Sequence, residues 1–169
     1  MKMTAVAVFT LLGLAAIWDI SYRKIPNVIL VTFFIIGLAY QLLCGEIWMA
    51  VGGLSCGFAL TLLPVLCRGM GMGDQKLLMA VGVWIGAAGT YKLFTYSIFV
   101  CLTALVVNPR KCAAAFRNLR VLAAGWTGHR EVWLPTRKTT ALALPFAIYL
   151  FASYVVYLLE EQANAIWQG

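Results

Sequence analysis

The chain has 169 residues, of which 63% are hydrophobic and only 11% charged. A soluble domain carries about 25% charged residues, so the composition excludes water as the main solvent and leaves no stretch polar enough for a separate soluble domain. The formal charge of +7 sits between apolar runs, as in the loops of a membrane protein, and not on a basic face interleaved with aromatics, so nucleic acid is excluded as a partner.

Apolar runs long enough to cross a ~30 Å hydrocarbon core recur along the chain. They predict an all-α, polytopic membrane protein of about six transmembrane helices in one domain, residues 1–169. The first span covers about residues 3–20. It is not read as a signal peptide, because no small-x-small site and polar mature region follow it. Pro26 fixes its own φ and pushes Ile25 out of the helical region, so the first helix stops before it. Pro26 or Asn27 then opens a second span, about 27–44, as cap or first-turn residue.

Gly45-Glu46 is a very short connection. The third span, about 47–67, carries Gly52, Gly53, Ser55, Gly57 and Ala59, a density of small residues that lets helices approach closely in lipid. The glycine-rich segment Arg68 to Lys76 follows, then a fourth span at about 75–88. Ala87 to Thr90 predicts a tight turn into a fifth, about 90–107. A basic loop, 108–139, has a first half resembling a helix that lies on an anionic membrane surface. The last span is about 140–159.

Eleven of the thirteen basic residues fall in the odd loops, and the positive-inside rule puts those loops in the cytoplasm and both termini outside. Trp18, Trp48, Trp126, Trp133 and Trp167 fall near predicted interfaces, as in an aromatic belt. The five cysteines, Cys44, Cys56, Cys67, Cys101 and Cys112, form no Cys-x-x-Cys pair, and His129 is the single histidine. No metal site is expected from such spacing, no cofactor is implied, and the thiols read as buried and inert.

The chain has two aspartates, Asp19 and Asp74, and the odd-loop topology brings both to one membrane face. Each has a plain structural explanation. Asp74 opens a helix, where a carboxylate caps free N–H groups, and Asp19 precedes Arg23 by the four residues of an intrahelical ion pair. Yet acids in or beside spanning helices are costly, and Asp19 sits at the dipole end that disfavours a carboxylate while Asp74 sits at the end that favours one. Two carboxyls whose surroundings push their protonation apart are what aspartic proteolysis requires: one takes a proton from water, the other donates to the scissile carbonyl. Gly71 and Gly73 leave the backbone beside Asp74 free for unusual dihedrals and for close approach of a substrate strand.

Gly71-Met72-Gly73-Asp74 resembles the Gly-x-Gly-Asp signature of intramembrane aspartic proteases. Lys76-Leu77-Leu78 continues it as in the type IV prepilin peptidases, and Asp19 followed by Ile25-Pro26-Asn27 resembles their first catalytic segment. Leu144-Pro145-Phe146-Ala147 looks like the start of their final helix. Larger bacterial members carry an N-terminal region with paired Cys-x-x-Cys motifs and methyltransferase activity; nothing here matches it, so the chain resembles the short form of tight-adherence pilus systems.

The resemblance implies an aspartic endopeptidase of the bacterial inner membrane with Asp19 and Asp74 as the catalytic pair. It would remove the basic leader from a prepilin at the cytoplasmic face, just before the prepilin's hydrophobic helix. Gly71, Gly73, Lys76, Pro26 and Asn27 would shape the site or bind substrate, with lipid and the pilus assembly machinery as further partners. A solvated loop lysine is an equal reading of Lys76. The alternatives are an archaeal preflagellin-type peptidase, a small proton-coupled transporter, which would place acids nearer mid-membrane and within repeated halves, and a non-catalytic pilus assembly factor.

Overall fold

The computed structural model describes residues 2–22, 24–66, 70–107 and 146–167, apart from the side chains of residues 2, 105, 165 and 166. The expectations for Arg23, Arg68, Cys67, Cys112, His129, Trp126, Trp133, the basic loop 108–139 and the Leu144-Pro145 step lie outside the described residues. The described part is helical: α1 (Lys2–Tyr22), α2 (Asn27–Leu43), α3 (Ile47–Leu66), α4 (Met72–Val107) and α5 (Phe146–Trp167), with no strand among the described residues. Three stretches, Met3–Tyr22, Ile47–Leu66 and Met72–Ala104, are long and apolar enough to cross a membrane, and Asn27–Leu43 is a shorter apolar helix. In α1 the apolar residues occur all round the helix. Val8, Leu11, Leu12 and Ala15 are buried while Val6, Phe9 and Ile17 are exposed, the pattern of a helix with protein on one side and lipid on the other.

α4 is two arms. Gly86 has φ 72 and ψ 179, a left-handed backbone that breaks the i→i−4 ladder and that only glycine adopts freely. A Cβ on Gly82 would lie 3.1 Å from Thr90 Oγ1, although eight residues of straight helix span about 12 Å, so the chain folds back at Gly86. The reversal falls one residue before the Ala87–Thr90 turn expected from the sequence. Beyond it, Lys92 pairs with Glu160 at 3.9 Å, the Tyr96 hydroxyl donates to the Glu160 carboxylate, and Cys101 interacts with Tyr149. Numbers rise along the second arm as they fall along α5, so the two run antiparallel.

The other directions follow from similar pairings. Phe9 meets Phe151 with ring centroids 5.1 Å apart, and the Tyr154 hydroxyl donates to the Ala5 carbonyl at 3.2 Å, so α1 and α5 are antiparallel. Lys76 Nζ donates to Asn27 Oδ1 at 3.4 Å and Gln41 Nε2 to Val83 O at 3.2 Å, so numbers rise together and α2 runs parallel to the first arm of α4. Among the described residues six helical segments alternate in direction, with the first arm of α4 at their centre.

α3 and that central arm touch backbone to backbone. Gly53 lies against Gly82, so that a Cβ on either would overlap the other's carbonyl, and Gly57 lies against Leu78. The small residues of α3 thus make the close approach that their density predicts. By the same register Asp74 is level with Thr61, five residues short of the end of α3 at Leu66, or about 8 Å inside the bundle end at 1.5 Å per residue.

The cysteines depart from expectation. Cys44 is exposed and Cys56 and Cys101 are only part-buried, because they face outward, where a thiol is as acceptable to hydrocarbon as to a protein core. Trp48 and Trp167 are largely exposed, and both lie at the bundle end that carries the start of α1.

Candidate active site

Asp19 and Asp74 reach the same end of the bundle by the same logic. Leu11 and Ala15, fully buried on one stripe of α1, are followed at the next i+4 step by Asp19. Leu77, Leu78 and Val81, fully buried on the central arm, are preceded by Asp74, and both stripes belong to one apolar core. The acids close that core at its end. Asp19 Oδ2 is shielded from solvent, Asp74 is part-buried, and the Asp19 carboxyl acts electrostatically on Asp74. The nearest structural explanation for Asp19, an ion pair with Arg23, falls on a residue outside the described set.

The start of α4 fixes the Asp74 carboxyl. Gly71 precedes the first helical residue, Met72, and its carbonyl accepts from Asp74 N at 3.1 Å and Gln75 N at 3.3 Å. In return the Gly71 N–H donates to the Asp74 side chain. That is the reciprocal pattern of a capping box, with Gly71 at N-cap and Asp74 at the third helical position. The capping expected of Asp74 is therefore present, but reaching backward and not from the N-cap position. It holds one side of the carboxyl and orients the rest.

The glycines of the motif work differently from the sequence-based expectation. Among the described residues only Gly45 and Gly86 have positive φ, so Gly71 and Gly73 do not supply unusual dihedrals. Gly71 supplies room: a Cβ there would lie 3.2 Å from Asp74 Oδ2, tight enough to displace the carboxyl. A Cβ on Gly73 would meet nothing within 4 Å, so the space on that side of Asp74 is open.

Pro26, with φ −62 and ψ 125, is the N-cap of α2 and makes no side-chain cap, and the helix proper starts at Asn27. Lys76, exposed, donates from Nζ to Asn27 Oδ1 at 3.4 Å. This link joins Lys76, the fifth residue of α4, to Asn27, the first of α2, a pairing across 49 residues that the sequence alone does not reveal. The available signal is their position near helix starts at one face: Asn27 opens α2 and Lys76 stands four residues after the start of α4. No group of three or more metal-ligating side chains occurs among the described residues.

A family model described as the type IV leader peptidase family matches residues 6–106, more than half of the chain and a range that contains both aspartates. No curated protein and no solved structure matches the chain.

Proposed function

The chain belongs to the type IV leader peptidase family, and from that membership we propose that it is an intramembrane aspartic endopeptidase with Asp19 and Asp74 as its catalytic pair. The substrate is a prepilin of the tight-adherence type, cut between its basic leader and its hydrophobic helix at the cytoplasmic face of the bacterial inner membrane. The observation that carries this reading is the electrostatic interaction of two carboxyls far apart in the chain, at the open end of one apolar core. A transporter finds less support, because both acids lie at one bundle end and not at its middle.

In this reading one carboxylate removes a proton from water as the oxygen attacks the scissile carbonyl. The other carboxyl, protonated, donates to the carbonyl oxygen. The tetrahedral species collapses as its C–N bond breaks: the first carboxyl gives its proton to the leaving amine, and a hydroxyl of the gem-diol returns a proton to the second carboxylate as the carbonyl re-forms. Two interacting carboxylates disfavour double ionisation, so one shared proton is the natural resting state of such a pair. The hydrogen bond from Gly71 orients Asp74, the open flank at Gly73 admits the substrate strand, and the Lys76–Asn27 link holds the two helix starts in register.

The test is cleavage of a cognate prepilin in membranes carrying the wild-type chain, Asp19→Asn or Asp74→Asn. Cleavage is expected only with the wild type, at equal protein levels. A variant that still cleaves returns its aspartate to the role of cap or ion-pair partner. A wild type that cleaves a preflagellin in preference to a prepilin keeps the chemistry and changes the substrate.

A further inference from the structure

At the bundle end away from the aspartates, the start of α1, the end of α2, the start of α3, the bend of α4 and the last part of α5 enclose a cavity of about 380 Å³. That volume lies near the lower end of the range for small-molecule sites. Thr4 lines it and Asp19 does not; fifteen residues of helix separate the two, roughly 22 Å at 1.5 Å per residue. It is therefore a separate place from the candidate active site.

The walls carry a consistent chemistry. Two aromatic pairs line it: Tyr40 on Trp84, with centroids 5.7 Å apart and rings 26° from parallel, and Tyr154 on Tyr157, 5.9 Å apart and 15° from parallel. Glu46 and Glu161 add two carboxylates, and among the described residues no lysine, arginine or histidine lines it. In a chain of net charge +7 that is a local inversion of sign. Gln41, 2% exposed, spends its amide N–H groups on the Val83 and Trp84 carbonyls at 3.2 and 3.4 Å, so the wall offers acceptors and the part-buried rings of Tyr40 and Tyr157 more than donors.

Aromatic faces combined with carboxylates suit an organic cation: the ring quadrupoles attract its charge and the rings cover its methyl or methylene groups. A divalent metal is not the match, since no triad of metal-ligating side chains occurs among the described residues. We infer that this cavity binds an alkyl- or methyl-substituted ammonium group, borne either by a phospholipid headgroup or by a free amine. The largely exposed Trp48 beside Glu46 sits where interfacial tryptophans mark headgroup depth, which puts the opening within reach of either source.

The experiment uses the full chain in dodecyl maltoside, followed by intrinsic tryptophan fluorescence, to which Trp84 in the cavity wall contributes, and by thermal unfolding. The probes are choline and its neutral isostere 3,3-dimethyl-1-butanol, at matched ionic strength. A second arm compares nanodiscs of phosphatidylglycerol alone with nanodiscs that also contain phosphatidylethanolamine or phosphatidylcholine. Saturable binding of choline at least ~10-fold tighter than the isostere, weakened ~10-fold or more in Glu46→Gln/Glu161→Gln, supports a free-amine site. A zwitterionic-lipid-dependent rise in unfolding temperature, lost in the same variant, supports a headgroup site. Equal affinity for choline and isostere together with no lipid dependence overturns the inference in the wild type alone, whether or not the variant folds. Prepilin cleavage by the variant reports its folding independently.

Discussion

The two ends of the bundle each carry a pair of carboxylates, and the pairs are built for different work. Asp19 and Asp74 close an apolar core and act on each other, with a glycine N–H and open space beside them. Glu46 and Glu161 stand apart among four aromatic rings, and neighbouring Glu160 is already engaged by Tyr96 and Lys92. Two acids that face each other in little water share a proton and can move it. Two acids spread around a ring-lined cavity share a field and can hold a cation. The difference lies in what surrounds the carboxyl group.

The sharpest way to break this contrast is to neutralise each pair in turn. Asp19→Asn and Asp74→Asn should each lower prepilin cleavage by about 10³-fold, within the usual range for a lost acid or base, while Glu46→Gln/Glu161→Gln leaves it unchanged; gel-shift assays in membranes read both. Next in size is the motif itself. Gly71→Ala puts a methyl 3.2 Å from Asp74 Oδ2, and because small misplacements of a reacting group are costly, kcat should fall ~10-fold or more with little change in unfolding temperature. Gly73→Ala meets no protein atom, so the fold should tolerate it, and any loss should appear in KM as the methyl enters the substrate's path.

Smaller still, Tyr96→Phe removes its hydrogen bond to Glu160. It should cost about 1 kcal/mol in stability, read by thermal unfolding in detergent, with cleavage intact. Lys92→Met should cost less, since its pair with Glu160 is long and both side chains are well exposed. A loss of cleavage in Tyr96→Phe at unchanged stability would couple the two ends and erase the division between them.

Much of this was legible in the sequence. Hydropathy and the loop residues revealed the helices, and the scarcity of acids in an apolar chain singled out Asp19 and Asp74. What escaped were choices between equivalent local signals and meetings across space. Gly86-Ala87-Ala88-Gly89 offers two glycines for one turn, and only the backbone shows that Gly86 takes the positive φ. Gly52, Gly53 and Gly57 announce a close neighbour without naming it, and Gly82 is identified only by the crossing. Gly71 was read for its backbone freedom when its use is the missing methyl. The cavity could not be foreseen at all, since five separate segments build its wall.

The shortness of the central arm has a consequence for any substrate of the kind proposed. From Met72 to Gly86 it is roughly 21 Å long, against about 30 Å for α3, so on the α3 side its start is set back from the end. A helix is about 10–12 Å across with its side chains and makes a poor probe for such a recess. An unwound strand, advancing ~3.3 Å per residue, covers the ~8 Å in two or three residues. The recess would then act as a conformational ruler, admitting the frayed junction at the end of a substrate helix and sparing the coiled part behind it, so that the cut falls where the helix begins, whatever its apolar sequence.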